Sequence, residues 1–498
     1  MDGRKNQSMV KTTAELFKKA LIMLPLLVSA CTGIDPEQAE SEAPEEKPDT
    51  TEVSGPVAPG QIDDPGIAYL WDESVIPEIT ISITVEEWNR LLKRYDEYSH
   101  NVDYFHADFT YRKGGDIIEI KDGGLRLRGN TSRRRPEGNG GEEHDTLNPD
   151  WHHCHFGINF RKFHKDNEHT IKGIRKVNLK WFKDDPCYVR ELFCYDLFRR
   201  YGIWTAAHDI YCRLWLKVGE AEPAYYGVYQ MVEPIDEEFI EKRIDGMFES
   251  DGGFLWKCGY ADAPADLNGL DGSWNVDLDN GVNYTYEFKG DEEDFETAKA
   301  QLQDFILKLQ GKGEDSFYKW IKEVCDVEFL LKTYAVNVAV GMCDDHWNNG
   351  NNFYLYFNST DKLKYKFYFL PYDYDNTLGT SWHVGVMSDP GRQDPYNWGD
   401  TGLLMERLMR FEEFRTIYRT ALQELVDPEN KLMDVEASIA RIKEWQKRIS
   451  PYVSNDTGED MSIYDQAASW GNLQNYKLMT RGSRNYFEVK AQTINSMK

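Results

Sequence analysis

The sequence predicts an α+β chain in two lobes, a β-rich N-terminal lobe over about residues 68–260 and a helical C-terminal lobe over about 290–490. Three observations predict it. Through the first half, short runs alternate apolar and polar residues, the two-residue period of half-buried strands. Through the second half, apolar residues recur at i, i+3 and i+4, the period of amphipathic helices. No linker-like stretch interrupts residues 68–490, so strands and helices belong to one large unit, in the order expected of an α+β fold.

Residues 1–30 read as a targeting segment. Lys11, Lys18 and Lys19 precede the apolar run from Leu21 to Ala30, which is too short to span a bilayer but fits a signal-peptide core. Ser29 and Ala30 ahead of Cys31 resemble the lipobox of bacterial lipoproteins, in which the Cys is lipid-modified and becomes the new N-terminus. An ordinary cleaved signal is the other reading. Residues 31–67, rich in Glu, Asp, Pro and Gly with little to bury, read as an acidic disordered tether. Anchor and tether together place the folded part in the bacterial cell envelope, outside the cytoplasm, at the outer membrane or cell surface.

The folded part opens with Glu78–Thr84, an alternating strand. Thr84 and Glu87 then form a capping box for a helix that begins at Val85. Strand patterns follow at Tyr104–Tyr111, Ile117–Ile120, Gly124–Arg128, Phe156–Phe160 and Lys176–Phe182, and a helix at Tyr188–Tyr201. His208–Leu216 and Ala224–Glu233 read as an antiparallel pair. Helical spacing then marks Asp294–Gln310, Asp315–Cys325, Asp326–Met342, Thr401–Arg410, Phe411–Leu425 and Met433–Ile449. One hairpin lies among them, Phe353–Phe357 paired with Leu363–Leu370.

Composition bounds the function. Hydrophobic residues make up 41% and aromatic residues 13%, enough for a sizeable core. Acidic residues outnumber basic ones 85 to 58, a formal charge of −27, which argues against sequence-independent nucleic-acid binding. No apolar run reaches 18 residues, so a channel or transporter is excluded. With Cys31 lipidated, seven of the eight cysteines remain, and their spacing looks like scattered core residues rather than a disulfide framework.

Chemistry concentrates around the hairpin. Cys343-Asp-Asp-His-Trp-Asn-Asn-Gly-Asn-Asn352 precedes its first strand and Pro371-Tyr-Asp-Tyr-Asp375 follows its second. Antiparallel neighbours lie about 5 Å apart, so both clusters meet at one end of the hairpin. Oxygen-only donors suit Mg²⁺, Mn²⁺ or Ca²⁺. The bland account is a turn and a helix cap.

Three other segments carry residues suited to chemistry. Leu125-Arg-Leu-Arg-Gly-Asn-Thr-Ser-Arg-Arg-Arg135 puts five arginines around a hydroxyl- and amide-rich turn, reading either as an anion site or as a solvated loop paired with acidic neighbours. Lys180 in a strand, with Glu191 opening the next helix, resembles the lysine–glutamate pair of protein kinases, against the reading of a solvent-facing strand-edge lysine. His152-His-Cys-His155 lacks a second ligand pair for zinc and reads as a loop with exposed imidazoles.

In order, these motifs resemble the CotH kinase-like family. Arg128-Gly-Asn-Thr-Ser132, Leu179-Lys180 with Arg190, Tyr226–Asp236, Asp345–Tyr356 and Pro371–Gly379 match its motifs over about residues 75–450. The resemblance implies an atypical protein-kinase-like fold that binds ATP with Mg²⁺ or Mn²⁺ and phosphorylates protein Ser/Thr. It implies Asp345 and Lys180 as catalytic residues. Arg128, Gly129, Asn130, Ser132, Lys180 and Glu233 would bind nucleotide, and Asp373, Asp375, Asn351 and Asn352 the metal. Two departures from the family pattern are Thr131, where the family has Ser, and a loop lengthened by the Asp344-Asp345 doublet and Asn348-Asn-Gly350. The rival reading is an inactive kinase-like lipoprotein that binds glycan or a protein partner. A metal-dependent glycosyl- or nucleotidyltransferase is weaker, because no nucleotide-sugar Rossmann pattern precedes Asp373-Tyr-Asp375.

Overall fold

The computed structural model describes residues 62, 64–183, 185–244, 247–277, 281–381, 389–466, 479–482 and 484–497. The expected signal peptide, Cys31 and nearly all of the tether lie outside the described residues. The described residues belong to one compact unit, Val57–Lys498. Among the described residues no helix is long and apolar enough to cross a membrane.

The fold is α+β. After a short helix α1 (Pro65–Leu70) come β1 (Glu78–Ile83), α2 (Val85–Glu97), β2 (Phe105–Lys113), β3 (Asp116–Arg128), β4 (His155–Asn159) and β5 (Lys176–Lys180). They are followed by α3 (Arg190–Arg200), β6 (Asp209–Val218), β7 (Ala224–Val232) and the short helix α4 (Glu237–Glu241). The strands close a barrel in the order β1-β2-β3-β4-β5-β7-β6. Closure is made by the parallel pairing of β1 with β6, Glu78 opposite Arg213 through Ile83 opposite Val218. The alternation read in β1 holds, with Ile79, Ile81 and Ile83 buried and Glu78, Thr80 and Ser82 less so. Thr84 caps α2 as expected, its Oγ1 accepting from Glu87 N–H at 3.2 Å. The two segments Ile117–Ile120 and Gly124–Arg128 are one strand, β3, kinked by a register shift opposite Ala107–Phe109.

A second sheet corrects the sequence reading. β8 (Phe254–Cys258), β9 (Trp274–Val276) and β10 (Tyr286–Phe288) join the hairpin strands β11 (Phe353–Phe357) and β12 (Phe367–Pro371) in the order β12-β11-β8-β10-β9. These strands are three to five residues long and mostly buried on both faces, so no alternation announces them. Around this sheet pack α5 (Phe295–Gly311), α6 (Glu314–Val324), α7 (Val327–Ala339), α8 (Leu403–Leu408), α9 (Glu412–Val426), α10 (Val435–Ile449) and α11 (Tyr486–Asn495). Two hydrophobic clusters result. One fills the barrel and includes Trp88, Leu91 and Leu92 of α2. The other joins α3, the second sheet and the later helices.

The end of α7 positions the chemistry. The spacing ran helix to Met342, but the helix stops at Ala339 because Gly341 takes φ +73. Met342 N–H donates to Asn337 O and Gly341 N–H to Val338 O, a Schellman closure. A Cβ at Gly341 would lie 2.4 Å from Tyr486 Oη, so only glycine fits. The chain therefore turns out of α7 directly into Asp344-Asp345.

Candidate active site

A cleft of about 1230 Å³ is lined from both sheets, by Arg128–Arg133 and Lys180 from the barrel side and by Asp344, Asn351, Asn352, Asp373 and Asp375 from the hairpin side. The hairpin register brings the last five together, with Phe353 opposite Pro371. At the base, Asn352 takes φ +57 and Asp373 φ +63, a left-handed conformation that Asn and Asp tolerate better than most residues. Backbone held there aims both side chains from the strand ends toward the cleft.

Lys180 ends β5, and its Nζ donates to Glu191 Oε2 at 2.5 Å and Asp373 Oδ1 at 2.7 Å. The strand-edge reading of Lys180 therefore gives way to the buried pair with a helix glutamate. Burial alone would lower the lysine's pKa, but Asp373, Glu191 and Asp375 hold the ammonium well above its ordinary value. Glu191 also accepts from Tyr374 N–H at 3.2 Å, so one carboxylate ties β5 to the Asp373-Tyr-Asp375 turn. Burial pushes Asp373 up, yet Lys180, Arg128 and Lys257 hold its carboxyl below the usual range. Half-buried Asp375 is pushed well above that range by desolvation and by the adjacent Asp373.

The adjacent aspartates part company. Asp344 lines the cleft. Its Oδ1 accepts from Asn349 Nδ2 at 2.7 Å and Asn351 Nδ2 at 3.0 Å, and its Oδ2 from Asn352 Nδ2 at 3.0 Å. Burial, with Asp373 nearby, raises its pKa. Asp345 lies outside the cleft lining, fully enclosed. Its carboxylate accepts from Asn348 N–H at 2.8 Å, Asn348 Nδ2 at 3.2 Å and Asn337 Nδ2 of α7, whose Oδ1 accepts from Tyr374 Oη at 2.8 Å. Burial pushes Asp345 up to about 7. Asn351 is spent on both ends, since its Oδ1 accepts from Tyr260 N–H at 2.9 Å.

The arginine cluster divides between its two readings. Arg135 is buried and pairs with Asp96 at 2.9 Å, and the more exposed Arg134 pairs with Glu459 at 2.7 Å, so both are taken up by acidic neighbours although only Arg134 is solvated. Arg126, Arg128 and Arg133 face the cleft instead. Arg126 Nε is buried without a hydrogen bond, and Arg128 reaches Tyr372 Oη at 3.3 Å. Burial, together with Arg126 and Arg128, pulls the Arg133 guanidinium down to about 10. Gly129 has φ +105, and a Cβ there would sit 2.6 Å from Ser132 Oγ. Asn130 Oδ1 accepts from Asn283 Nδ2 across the cleft at 3.2 Å.

Two expectations fail on geometry. Glu233 lies outside the cleft lining, locked to fully buried Arg243 at 2.6 Å and to His208 at 2.9 Å. His153 and His155 are buried rather than exposed; His153 Nε2 lies 2.8 Å from Tyr226 O, and His155 Nδ1 accepts from Trp181 N–H at 3.0 Å. The seven described cysteines are all buried, with no disulfide among them.

Glu233→Ala is expected to cost about 3–5 kcal/mol in urea denaturation, because Arg243 would stay buried without its partner. Burial would raise the Glu233 pKa, but Arg243 and His208 hold it well below 4.5. Its stabilisation is thus present above that value and is lost as pH falls below it.

The cleft also includes Lys257, on a buried strand with no alternation to announce it, and Arg126 and Arg133, which the local pattern does not separate from the other arginines of their cluster. A family model described as CotH kinase protein matches residues 125–484. No curated protein matches the chain.

Proposed function

The chain belongs to the CotH kinase family, and from that premise we propose that it transfers the γ-phosphoryl group of ATP to Ser/Thr hydroxyls of a protein substrate with a divalent metal. The two hydrophobic clusters support a two-lobed, kinase-like arrangement with the cleft between the barrel and the second sheet. The observation that carries the reading is Lys180, shared between Glu191 and Asp373 at the base of the hairpin. Phosphoryl transfer asks a protein for positioning and charge stabilisation, and these groups supply both.

The residues fit Mg²⁺ or Mn²⁺. Asp373, Asp375 and Asn352 offer only oxygen ligands, and burial first, then the neighbouring Asp373, raise the Asp375 pKa despite Lys180. Asn351 positions Asp344 rather than ligating. A cation held there supplies neutralisation of phosphate oxygens. Lys180, Arg126 and Arg128 clamp phosphate by charge-assisted hydrogen bonds, while Arg133 donates to the carbonyls of Gly129, Ser99 and Asn101 and so holds the turn in place. Asp344, oriented by three carboxamides, accepts the proton of the acceptor hydroxyl, and its raised pKa suits it to that task. Asp345 holds the loop against α7 and Tyr374. This reassigns the base from Asp345 to Asp344.

The test is transfer of labelled γ-phosphate to a Ser-rich acceptor. Wild type that binds ATP and transfers nothing would favour a binding protein for glycan or a partner, and wild type that does neither would remove kinase chemistry. We also propose that Cys31 carries a lipid anchor in the cell envelope. Cys31→Ser is expected to move the protein from membrane to soluble fractions; wild type without lipid mass, with the variant still sedimenting with membranes, would refute it.

A further inference from the structure

A second cluster lies away from the aspartates of the cleft, on the loop between β4 and β5. His164, Asp166 and His169 each present a ligand atom, and these atoms lie within 4.8 Å of one another. The two imidazoles stack with centroids 4.1 Å apart and planes 12° from parallel. Asp166 Oδ1 lies 2.7 Å from His169 Nδ1.

Chain geometry outside the loop serves this cluster. The bulge in β3 opposite Ala107–Phe109 leaves Asp122 in a left-handed conformation at φ +55. Bulges re-aim side chains, and this one turns the Asp122 carboxylate toward the loop. Its Oδ2 lies 2.8 Å from His164 Nε2 and its Oδ1 2.5 Å from His106 Nδ1. His106 in turn stacks on Phe163 at 3.7 Å. A carboxylate on one imidazole nitrogen fixes the tautomer so that the other nitrogen is the metal donor, the recurring outer-shell arrangement of histidine metal sites.

We propose that His164, Asp166 and His169 bind a transition-metal ion of the Zn²⁺ class, with Asp122 orienting His164. Two imidazoles and one carboxylate suit Zn²⁺, Cu²⁺ or Ni²⁺, whereas the all-oxygen cleft suits Mg²⁺. Binding at about 2.0–2.2 Å requires the stacked rings to turn so that both lone pairs meet at one ion, and Asp166 to exchange its contact with His169 for the metal. The partly exposed site leaves room for water as a further ligand. Lys162, two residues before His164, lines the cleft, so an ion here would fix the loop at its rim. The proposal stands independently of phosphoryl transfer.

The experiment is isothermal titration of EDTA-treated full-length protein with ZnCl₂, alongside visible spectra after CoCl₂ addition. One Zn²⁺ per chain is expected. The double variant His164→Ala/His169→Ala should lose that binding and the cobalt bands while keeping its metal-free melting temperature. Asp122→Asn should weaken binding by roughly 10–100-fold without abolishing it. Asp373→Ala should bind zinc as wild type does. Wild type that takes up no zinc, or a double variant that binds it undiminished, overturns the proposal. Should the double variant misfold, Asp166→Asn alone must still weaken zinc binding at an unchanged melting temperature, or the site is refuted.

Discussion

Asp373→Ala is expected to reduce phosphate transfer by roughly a thousandfold or more, about 4 kcal/mol of transition-state stabilisation. The carboxylate stands at the junction of two functions, beside Asp375 among the oxygen donors and 2.7 Å from Lys180 Nζ. Its removal takes away the negative charge that draws a cation to the hairpin base. Lys180 keeps Glu191, so the barrel side of the cleft should stay intact. The variant should therefore melt near the wild-type temperature without added metal, yet lose the rise in melting temperature that Mg²⁺ gives wild type. A variant that transfers phosphate at more than a tenth of the wild-type rate would remove Asp373 from the chemistry.

The second large effect separates Asp344 from Asp345. Asp344→Asn should lower turnover by roughly 10²–10⁴-fold, the range for loss of a general base, while nucleotide binding holds and stability falls by only about 1–3 kcal/mol for the one acceptor removed from Asn352 or from Asn349 and Asn351. The acid limb of the kcat/KM profile should follow the ionisation of the Asp344 carboxylate. The rate falls as pH drops through that limb, since only the ionised form accepts a proton, and Asp344→Asn should abolish the limb.

Asp345→Ala should behave differently. It leaves the donors of Asn337 and Asn348 buried without an acceptor, a cost of about 1–3 kcal/mol for each unsatisfied group. Chemical denaturation would show the loss directly. If Asp345→Asn instead abolishes transfer at wild-type stability while Asp344→Asn stays active, the reassignment is wrong.

These two residues mark the limit of what was legible in the chain. The Asp/Asn run before the hairpin and the Asp-Tyr-Asp after it pointed to one site, because antiparallel pairing returns a strand to its start whatever surrounds it. Nothing in the local pattern distinguishes one aspartate of a doublet from the next. That was decided by the Schellman turn at Gly341 and by Asn337, which captures Asp345 against α7. Glu233 is a similar case. Its motif was visible, but its partner Arg243 comes ten residues later with no periodic relation to it.

By itself the sequence determined the strands that form the barrel, the amphipathic helices and the hairpin. All of these rest on periods of two or 3.6 residues, or on contacts within a few residues of a turn. The pairing of Lys180 with Glu191, by contrast, was decided by the fold against a solvent-facing strand edge. Only the tertiary structure decided the three short buried strands of the second sheet, which of five arginines face the cleft, and which carboxylates share it. It also brought Asp122 from a bulged strand to His164 and His169 on a distant loop. Burial and like-charge crowding depend on what the rest of the chain packs against each group, and no local pattern of residues carries that information.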